Sequence, residues 1–206
     1  MRRSSAWNAG VLIILALAAC ICGCTDSTSG GNGTNSAIEQ QIQALSSGDP
    51  DAELAAITYL MDIGEPAVQP VINSFAASDN KTRIYGAFIL QEIGEPAIPS
   101  LVAALDADDP DTKMICATTL VGIGAPAVPY LLDALEQGDS DTQKVKEVII
   151  RIGEPAIPAL QVAALSQNTD YAREADALIK SIYFSAKLRD DSLTAAENAT
   201  ATAQAV

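Results

Sequence analysis

The sequence predicts an all-α protein built as a solenoid of short helical hairpins. Three observations lead to this prediction: a turn motif that returns at near-constant spacing, helix start signals between its copies, and apolar residues at helical spacing in the segments between them. The 206-residue chain is 49% apolar but only 4% aromatic, a composition that suits close packing of helices.

The turn motif has the pattern Ile-Gly-Glu-Pro-Ala followed by Val or Ile. It begins at Ile63, Ile93, Ile123 and Ile152, at spacings of 30, 30 and 29 residues, and alanine replaces the glutamate in the third copy. Glycine can take the left-handed conformation that closes a helix, and proline suits the first turn of the next one. A carboxylate favours the positive N-terminal end of that helix. The motif therefore predicts the end of one helix, here called an A-helix, and the start of a second, a B-helix.

Helix start signals lie between the copies of the motif. They recur near the same spacing, at Asp49, Asp79, Asp109, Asp139 and Thr169-Asp170. Asp, Ser and Thr accept hydrogen bonds from the free N–H groups at a helix start. Each repeat is therefore predicted to hold two helices of about 11–14 residues.

Apolar side chains follow helical spacing within these segments. The first two A-helices carry Leu54, Ile57, Leu60 and Ile63, then Ile84, Ala87, Leu90 and Ile93. The first two B-helices carry Val68, Val71, Ile72 and Phe75, then Ile98, Leu101, Val102 and Leu105. We interpret these stripes as core. One hairpin cannot bury its own apolar face, so the hairpins are expected to stack in a linear array.

The predicted repeat domain spans residues 37–188. A B-type helix over residues 36–47 comes first, and a longer A-type helix over 171–188 follows the fourth motif. Residues 189–206 lack periodic large apolar side chains and are predicted to be a disordered tail.

Residues 1–24 have the layout of a lipoprotein-type signal peptide. Arg2 and Arg3 precede an apolar run from Val11 to Ala19, and Leu17-Ala18-Ala19-Cys20 resembles a prokaryotic lipobox, whose cysteine is lipidated. Cys24 is a weaker match, but polar residues follow it, so cleavage before Cys20 or before Cys24 is expected. An uncleaved anchor and ordinary secretion are the alternatives. Each places the folded part outside the cytoplasm, with the protein held at the membrane of a prokaryotic envelope in the first two cases.

Residues 25–36 are small and polar and predict a flexible linker between that segment and the repeats.

The charge and composition exclude several classes of function. The net charge of −14 disfavours binding to nucleic acid, and a basic partner suits it better. The sequence contains no histidine, so the commonest general base and metal ligand is missing. We expect no metal, no cofactor and no catalytic residue. Cys116, the one cysteine beyond the N-terminal segment, is expected to be a buried, inert thiol.

The recurrent pattern resembles a known family of helical repeats. Asp109-Pro110-Asp111, an apolar helix and Ile-Gly-x-Pro-Ala are similar to the short HEAT-like repeats named after phycobilisome lyases, within the HEAT and armadillo superfamily. The resemblance covers about residues 37–188. It implies a right-handed, armadillo-like α-solenoid of about four or five hairpins, with B-helices on the inner face and A-helices outside. It also implies protein binding rather than catalysis.

Two other functions stay open beside a protein-binding scaffold. One is a bilin-lyase-like or other cryptic enzyme, although no residue here can be matched to a lyase site. A di-iron hydroxylase on a similar scaffold would need histidine, which the sequence lacks. The other is a structural spacer at the cell surface.

Candidate binding residues are the B-helix positions that lie off the apolar stripe. They include Gln69, Asn73, Ser100, Tyr130 and Asp133. Small and mixed side chains of this kind predict a shallow groove for a peptide or helix rather than a deep pocket for a small molecule. Tyr130 is the predicted aromatic anchor.

The start-signal aspartates predict a second feature. Because successive turns of a stack lie side by side, Asp49, Asp79, Asp109 and Asp139 are expected to form an acidic edge. Whether that edge binds cations stays open.

Overall fold

The computed structural model describes the backbone of residues 32–138 and 141–204, and the side chains of 35–138 and 141–192. The predicted signal peptide, both lipidation candidates and most of the predicted linker lie outside these residues. The chain divides into two units, residues 1–32 and 33–206, and apart from Asn32 the helices described here belong to the second.

The described residues form an all-α solenoid, as predicted. In chain order the α-helices are α1 (Asn32–Ala44), α2 (Pro50–Ile63), α3 (Glu65–Ser74), α4 (Asn80–Ile93), α5 (Ile98–Ala103), α6 (Pro110–Ile123), α7 (Val128–Gln137), α8 (Thr142–Ile152), α9 (Ile157–Ala163) and α10 (Thr169–Gln204).

The helices stack in two layers. The A-helices α2, α4, α6, α8 and α10 each contact the next, and so do the B-helices α3, α5, α7 and α9. The core lies between the layers, and α1 adds Ile38, Ile42 and Leu45 to it. Its largest fully buried side chains include Phe75, Leu90, Leu101, Leu120 and Leu131.

The glycine of each turn motif joins an A-helix to a B-helix. The N–H of Gly94 donates to the Leu90 carbonyl at 3.1 Å, and the Gly94 carbonyl accepts from the Ala97 N–H at 2.9 Å. The two helices on either side of this glycine are bent by 116°. Gly94 has φ +73° and ψ −128°, so its φ is positive as predicted, but its ψ lies outside the left-handed helical region.

The B-helices are shorter than predicted. The α-helical part of α5 spans 6 residues, after a 3-10 turn at Glu95–Ala97. Pro99 explains this turn, because it has no N–H to donate to the Glu95 carbonyl four residues earlier. The same 3-10 turn precedes α7 and α9, at Ala125–Ala127 and Glu154–Ala156.

Three of the predicted helix start signals act as caps. Asp49 accepts from the Asp51 N–H at 3.1 Å, Asp79 from the Thr82 N–H at 2.8 Å and Asp109 from the Thr112 N–H at 2.7 Å. Asp139 lies outside the described residues.

Asp141 and Asn168 cap the remaining two A-helices. The Asp141 carboxylate accepts from the Lys144 N–H at 3.2 Å, and the Asn168 side chain accepts from the Tyr171 N–H at 3.3 Å. The predicted cap at Thr169-Asp170 is therefore one residue too late, because Thr169 is already helical.

The tail predicted for residues 189–206 differs in the structure. The backbone continues as helix α10 to Gln204. The helix is not stopped because Tyr183 stands 30 residues after Gly153, at the position where each earlier A-helix has its glycine. That the segment is mobile stays a prediction.

Among the described residues, no single helix is long and apolar enough to cross a membrane. Two bent pairs meet the same test of length and composition, Asn80–Ile93 with Glu95–Asp106 and Pro110–Ile123 with Ala125–Gln137. Both are the helix pairs of a repeat, and their apolar residues belong to the core between the layers.

Candidate binding surface

The B-helices expose a row of polar and small side chains on the side away from the core. In α3 these are Gln69 and Asn73, and in α5 the exposed Ala103 follows the half-buried Ser100. Their buried neighbours, Val71 and Ile72 in α3 and Leu101 and Val102 in α5, fix the orientation of both helices. The sequence thus sets which B-helix positions line the outward surface of this layer.

A cleft of about 480 Å³ runs between α3 and the segment that follows α5. It is lined by Gln69, Ile72, Asn73, Ala76, Ser100, Ala103, Ala104, Asp106, Ala107, Asp108, Asp109 and Thr112. The alanines keep the floor shallow, and the three aspartates place negative charge along one wall. No lysine or arginine belongs to this lining.

A second cleft of about 460 Å³ adjoins the first. It is lined by Asn35, Glu39, Pro66, Gln69, Pro70 and Asn73, again without a basic residue. Gln69 and Asn73 line both clefts, and the Gln69 amide donates to the Asn73 side-chain oxygen at 2.8 Å. The two clefts therefore form one continuous surface, here called the inner cleft.

The structure brings together three of the five residues proposed from the sequence. Gln69, Asn73 and Ser100 line the inner cleft, whereas Tyr130 and Asp133 lie on α7, outside its lining. The Tyr130 hydroxyl donates to the Glu95 carboxylate at 3.1 Å, and this hydrogen bond raises the pKa of Tyr130. Tyr130 is half-buried and joins two repeats, so it is less available as an anchor than the sequence suggested.

Sequence reasoning missed the acidic wall of the inner cleft. Asp106, Asp108 and Asp109 were interpreted only as part of a turn edge. They belong to the cleft because α5 is followed by a 3-10 turn, Ala104–Asp106, which carries the chain across the end of α3. The shortness of the segment between Leu105 and Pro110 was the available signal.

The edge formed by the helix caps is not uniformly acidic. Thr112 donates to Asp109 from both its hydroxyl and its N–H, and Thr82 does the same for Asp79, so the pKa of each aspartate lies below its ordinary value. Basic side chains alternate with these acids. Lys81 pairs with Glu53 at 2.5 Å, and Arg83 pairs with Asp111 at 2.8 Å.

Cys116 is fully buried in α6. Burial raises the pKa of its thiol to about 12, so the reactive thiolate is scarce at neutral pH. Within the described ranges, no group of three or more histidine, cysteine, aspartate or glutamate side chains is arranged to hold a metal ion. The cleft residues can donate and accept hydrogen bonds and attract positive charge.

Comparison with known proteins supports the repeat assignment. Residues 68–150 match the family of HEAT repeats. These residues form HEAT-like repeats. The match covers α4 to α7 and most of α3 and α8, including the acidic wall of the inner cleft.

Solved structures and curated proteins add less. Two crystal structures of engineered proteins are similar at 18% sequence identity, with TM-scores of 0.30 and 0.28. The alignments cover 72% of this chain and 80% of the first protein, and 71% of this chain and 47% of the second. No curated protein gives a significant match.

Proposed function

We propose that this chain is a non-catalytic protein-binding module whose inner cleft receives a basic segment of another protein. The observation that carries the proposal is the lining of this cleft. It holds the carboxylates of Asp106, Asp108, Asp109 and Glu39, and no basic side chain stands among them. A cationic side chain entering the cleft meets uncompensated negative charge, which favours its binding and its approach.

The shape of the cleft favours a polypeptide over a small molecule. Its two parts lie side by side along α3 and are open and shallow, whereas small-molecule sites are concave and mostly enclosed. The bond between Gln69 and Asn73 uses one amide donor and one amide acceptor, and both side chains are exposed. Their other amide groups can bind the backbone of an extended or helical segment.

The residues of the cleft also support a non-catalytic role. Ser100 is the hydroxyl nearest to a nucleophile in chemical type, but the chain has no histidine to activate it. Asp109 and Thr112 are bonded to each other as a helix cap. These groups suit recognition better than proton transfer.

Selection from a random peptide library tests the proposal. The full-length chain, purified in detergent, is expected to enrich peptides rich in lysine and arginine. Asp108→Lys is expected to raise the Kd of a selected peptide by about tenfold, because it places positive charge in the acidic wall. Asp108 is the residue to change because Asp109 caps α6 and Asp106 bonds the Asp141 N–H. Titration calorimetry at two salt concentrations measures the effect.

Asp133→Lys is the matched control. It makes the same charge change at an exposed position on α7, outside the inner cleft. If both variants weaken binding equally, the effect is general attraction and the cleft assignment is wrong. Enrichment of peptides without basic residues contradicts the proposal, and recovery of no peptide at all favours the surface spacer.

We further propose that the module is displayed outside the cytoplasmic membrane on a lipid anchor. The support is the sequence around Cys20 and Cys24, which follows a basic start and an apolar run. Expression in a bacterium grown with labelled palmitate is expected to label the wild type. Cys20→Ser is expected to abolish the label, and Cys24→Ser is the matched control. The opposite result assigns Cys24 as the modified residue, and labelling of neither protein contradicts the anchor.

A further inference from the structure

Helix α10 leaves one side uncovered that the other A-helices bury. α8 contacts α10 on this side, where Lys146 of α8 pairs with Glu174 of α10. Among the described residues, no helix covers the corresponding side of α10. The helix also continues beyond Tyr183, at the position where the earlier A-helices end, and runs to Gln204.

The uncovered side of α10 carries large apolar side chains. Tyr183, Phe184 and Leu188 are 55%, 66% and 53% exposed. At 3.6 residues per turn, Phe184 lies opposite Leu178 and Ile182, which are buried in the core. Three large apolar groups so close together on one helix surface form a patch of the kind that marks an interaction site.

Charged residues flank this patch in a particular order. Lys180 lies one turn before Phe184, and Asp191 lies two turns after it, so the sequence positions share the same face. The spacing 180, 184, 187/188 and 191 is that of the contact positions in a coiled coil. The two charges are 11 residues apart, which at 1.5 Å per residue is about 16 Å along the axis.

This order of charges distinguishes between two ways of pairing α10 with itself. In a parallel pair, Lys180 meets Lys180 and Asp191 meets Asp191, so like charges repel. In an antiparallel pair centred between Ser185 and Ala186, each Lys180 meets the Asp191 of the other helix. The same register places Tyr183 against Leu188 and Phe184 beside Lys187, twice each. The face is thus complementary to itself only when reversed.

We propose that two copies of this chain associate through α10, antiparallel, with Phe184 at the centre and a Lys180–Asp191 ion pair at each end. Such a contact is isologous, since the same surface serves both copies and closes the assembly at two. It lies on the A-layer, apart from the B-helix surface that forms the inner cleft. Pairing through α10 therefore presents two inner clefts and does not depend on what they bind.

The mass of the full-length protein in detergent, measured by light scattering over a range of concentrations, tests the pairing. Wild type is expected to form a dimer. Phe184→Glu is expected to raise the dimer dissociation constant by about tenfold or more, because it puts a charge at the centre of the apolar patch. Phe88→Glu is the matched control, since Phe88 is a half-exposed phenylalanine on α4, away from α10. Circular dichroism establishes that each variant is folded.

Charge reversal tests the register. Lys180→Asp and Asp191→Lys, made singly, are each expected to weaken the dimer, and the double variant is expected to restore it. A monomeric wild type overturns the proposal. So does a dimer that Phe184→Glu leaves intact, which would also be the result of association through the N-terminal apolar segment. Failure of the double variant to restore the dimer overturns the antiparallel register.

Discussion

Gly94 shows how a single residue sets the repeat. It closes α4 with its N–H and opens the following turn with its carbonyl, at a φ of +73° that residues with a side chain rarely adopt. Nothing crowds the position, since a Cβ added there would have no neighbour closer than 3.8 Å. The requirement for glycine at this turn is therefore conformational rather than steric.

Gly94→Ala is expected to lower the free energy of unfolding by about 1–3 kcal/mol, the cost of holding a non-glycine residue in a sparsely populated backbone region. Urea denaturation followed by circular dichroism measures the change. Gly122→Ala is the control, because Gly122 lies within helix α6 and an added Cβ there would touch only the movable end of Gln91. That variant is expected to be neutral or more stable by up to about 1 kcal/mol. Equal losses in both would contradict the conformational explanation.

Small residues explain why the predicted core of the A-helices was partly wrong. Leu54 and Ile84 were predicted to be core but are 64% and 60% exposed, whereas Ala56 and Gly86 are buried. A Cβ on Gly86 would lie 2.7 Å from a ring carbon of Phe75, so the two helices approach too closely there for a larger side chain. A search for large apolar residues cannot find such contact positions.

At the scale of the element, ion pairs join each A-helix to its neighbour. Glu53 of α2 is buried, accepts from the Gly48 N–H at 3.0 Å and pairs with Lys81 of α4. Arg83 of α4 binds the Phe75 carbonyl at 2.8 Å and also pairs with Asp111 of α6. These contacts fix the register between successive repeats at the start of the A-helices.

The pairing of Glu53 predicts a dependence of stability on pH. The Lys81 ammonium, helped by the Gly48 N–H, holds the pKa of Glu53 below its ordinary value of 4.5. A carboxylate whose pKa is lower in the folded state stabilises the fold above its unfolded pKa, and this contribution is lost as pH falls through the folded value. The free energy of unfolding is therefore expected to fall as pH drops below about 4.5.

Glu53→Gln tests this account, measured by urea denaturation at several pH values. The variant is expected to be less stable than wild type at pH 7 and to lose less stability on acidification. Some dependence is expected to remain, because the caps Asp79 and Asp109 also have lowered pKa values. Glu92→Gln, an exposed carboxylate on α4, is the control and is expected to follow wild type. A pH profile for Glu53→Gln that is identical to wild type would remove Glu53 from the explanation.

At the scale of the whole molecule, stacking creates surfaces that no single repeat has. The inner cleft needs α1, α3 and the segment after α5 side by side, and three repeats supply its lining. The expected preference for basic peptides and the loss on Asp108→Lys belong to this scale. So does pairing through α10, which depends on a side of the helix that stacking leaves uncovered.

The two proposed surfaces can be tested independently because they lie on different layers. Asp108→Lys is expected to leave the mass of the dimer unchanged, and Phe184→Glu is expected to leave peptide binding unchanged. The chain carries a net charge of −14, so both measurements belong near physiological salt, where repulsion between copies is screened beyond about 8 Å.

The sequence by itself determined the fold and its period. Gly-x-Pro motifs and helix-capping aspartates act through local backbone chemistry, so their spacing predicts the hairpins without any knowledge of distant contacts. It also determined three of the cleft residues, Gln69, Asn73 and Ser100, through their positions on the B-helices.

Only the tertiary structure decided what depends on contacts between repeats. It placed Asp106 and Asp108 in the wall of the cleft, buried Gly86 in place of Ile84, and left Tyr130 bonded to Glu95. The physical reason is the same in each case. Helical periodicity gives the direction of a side chain from its own helix, but the neighbouring helix decides whether that direction is covered or open to solvent.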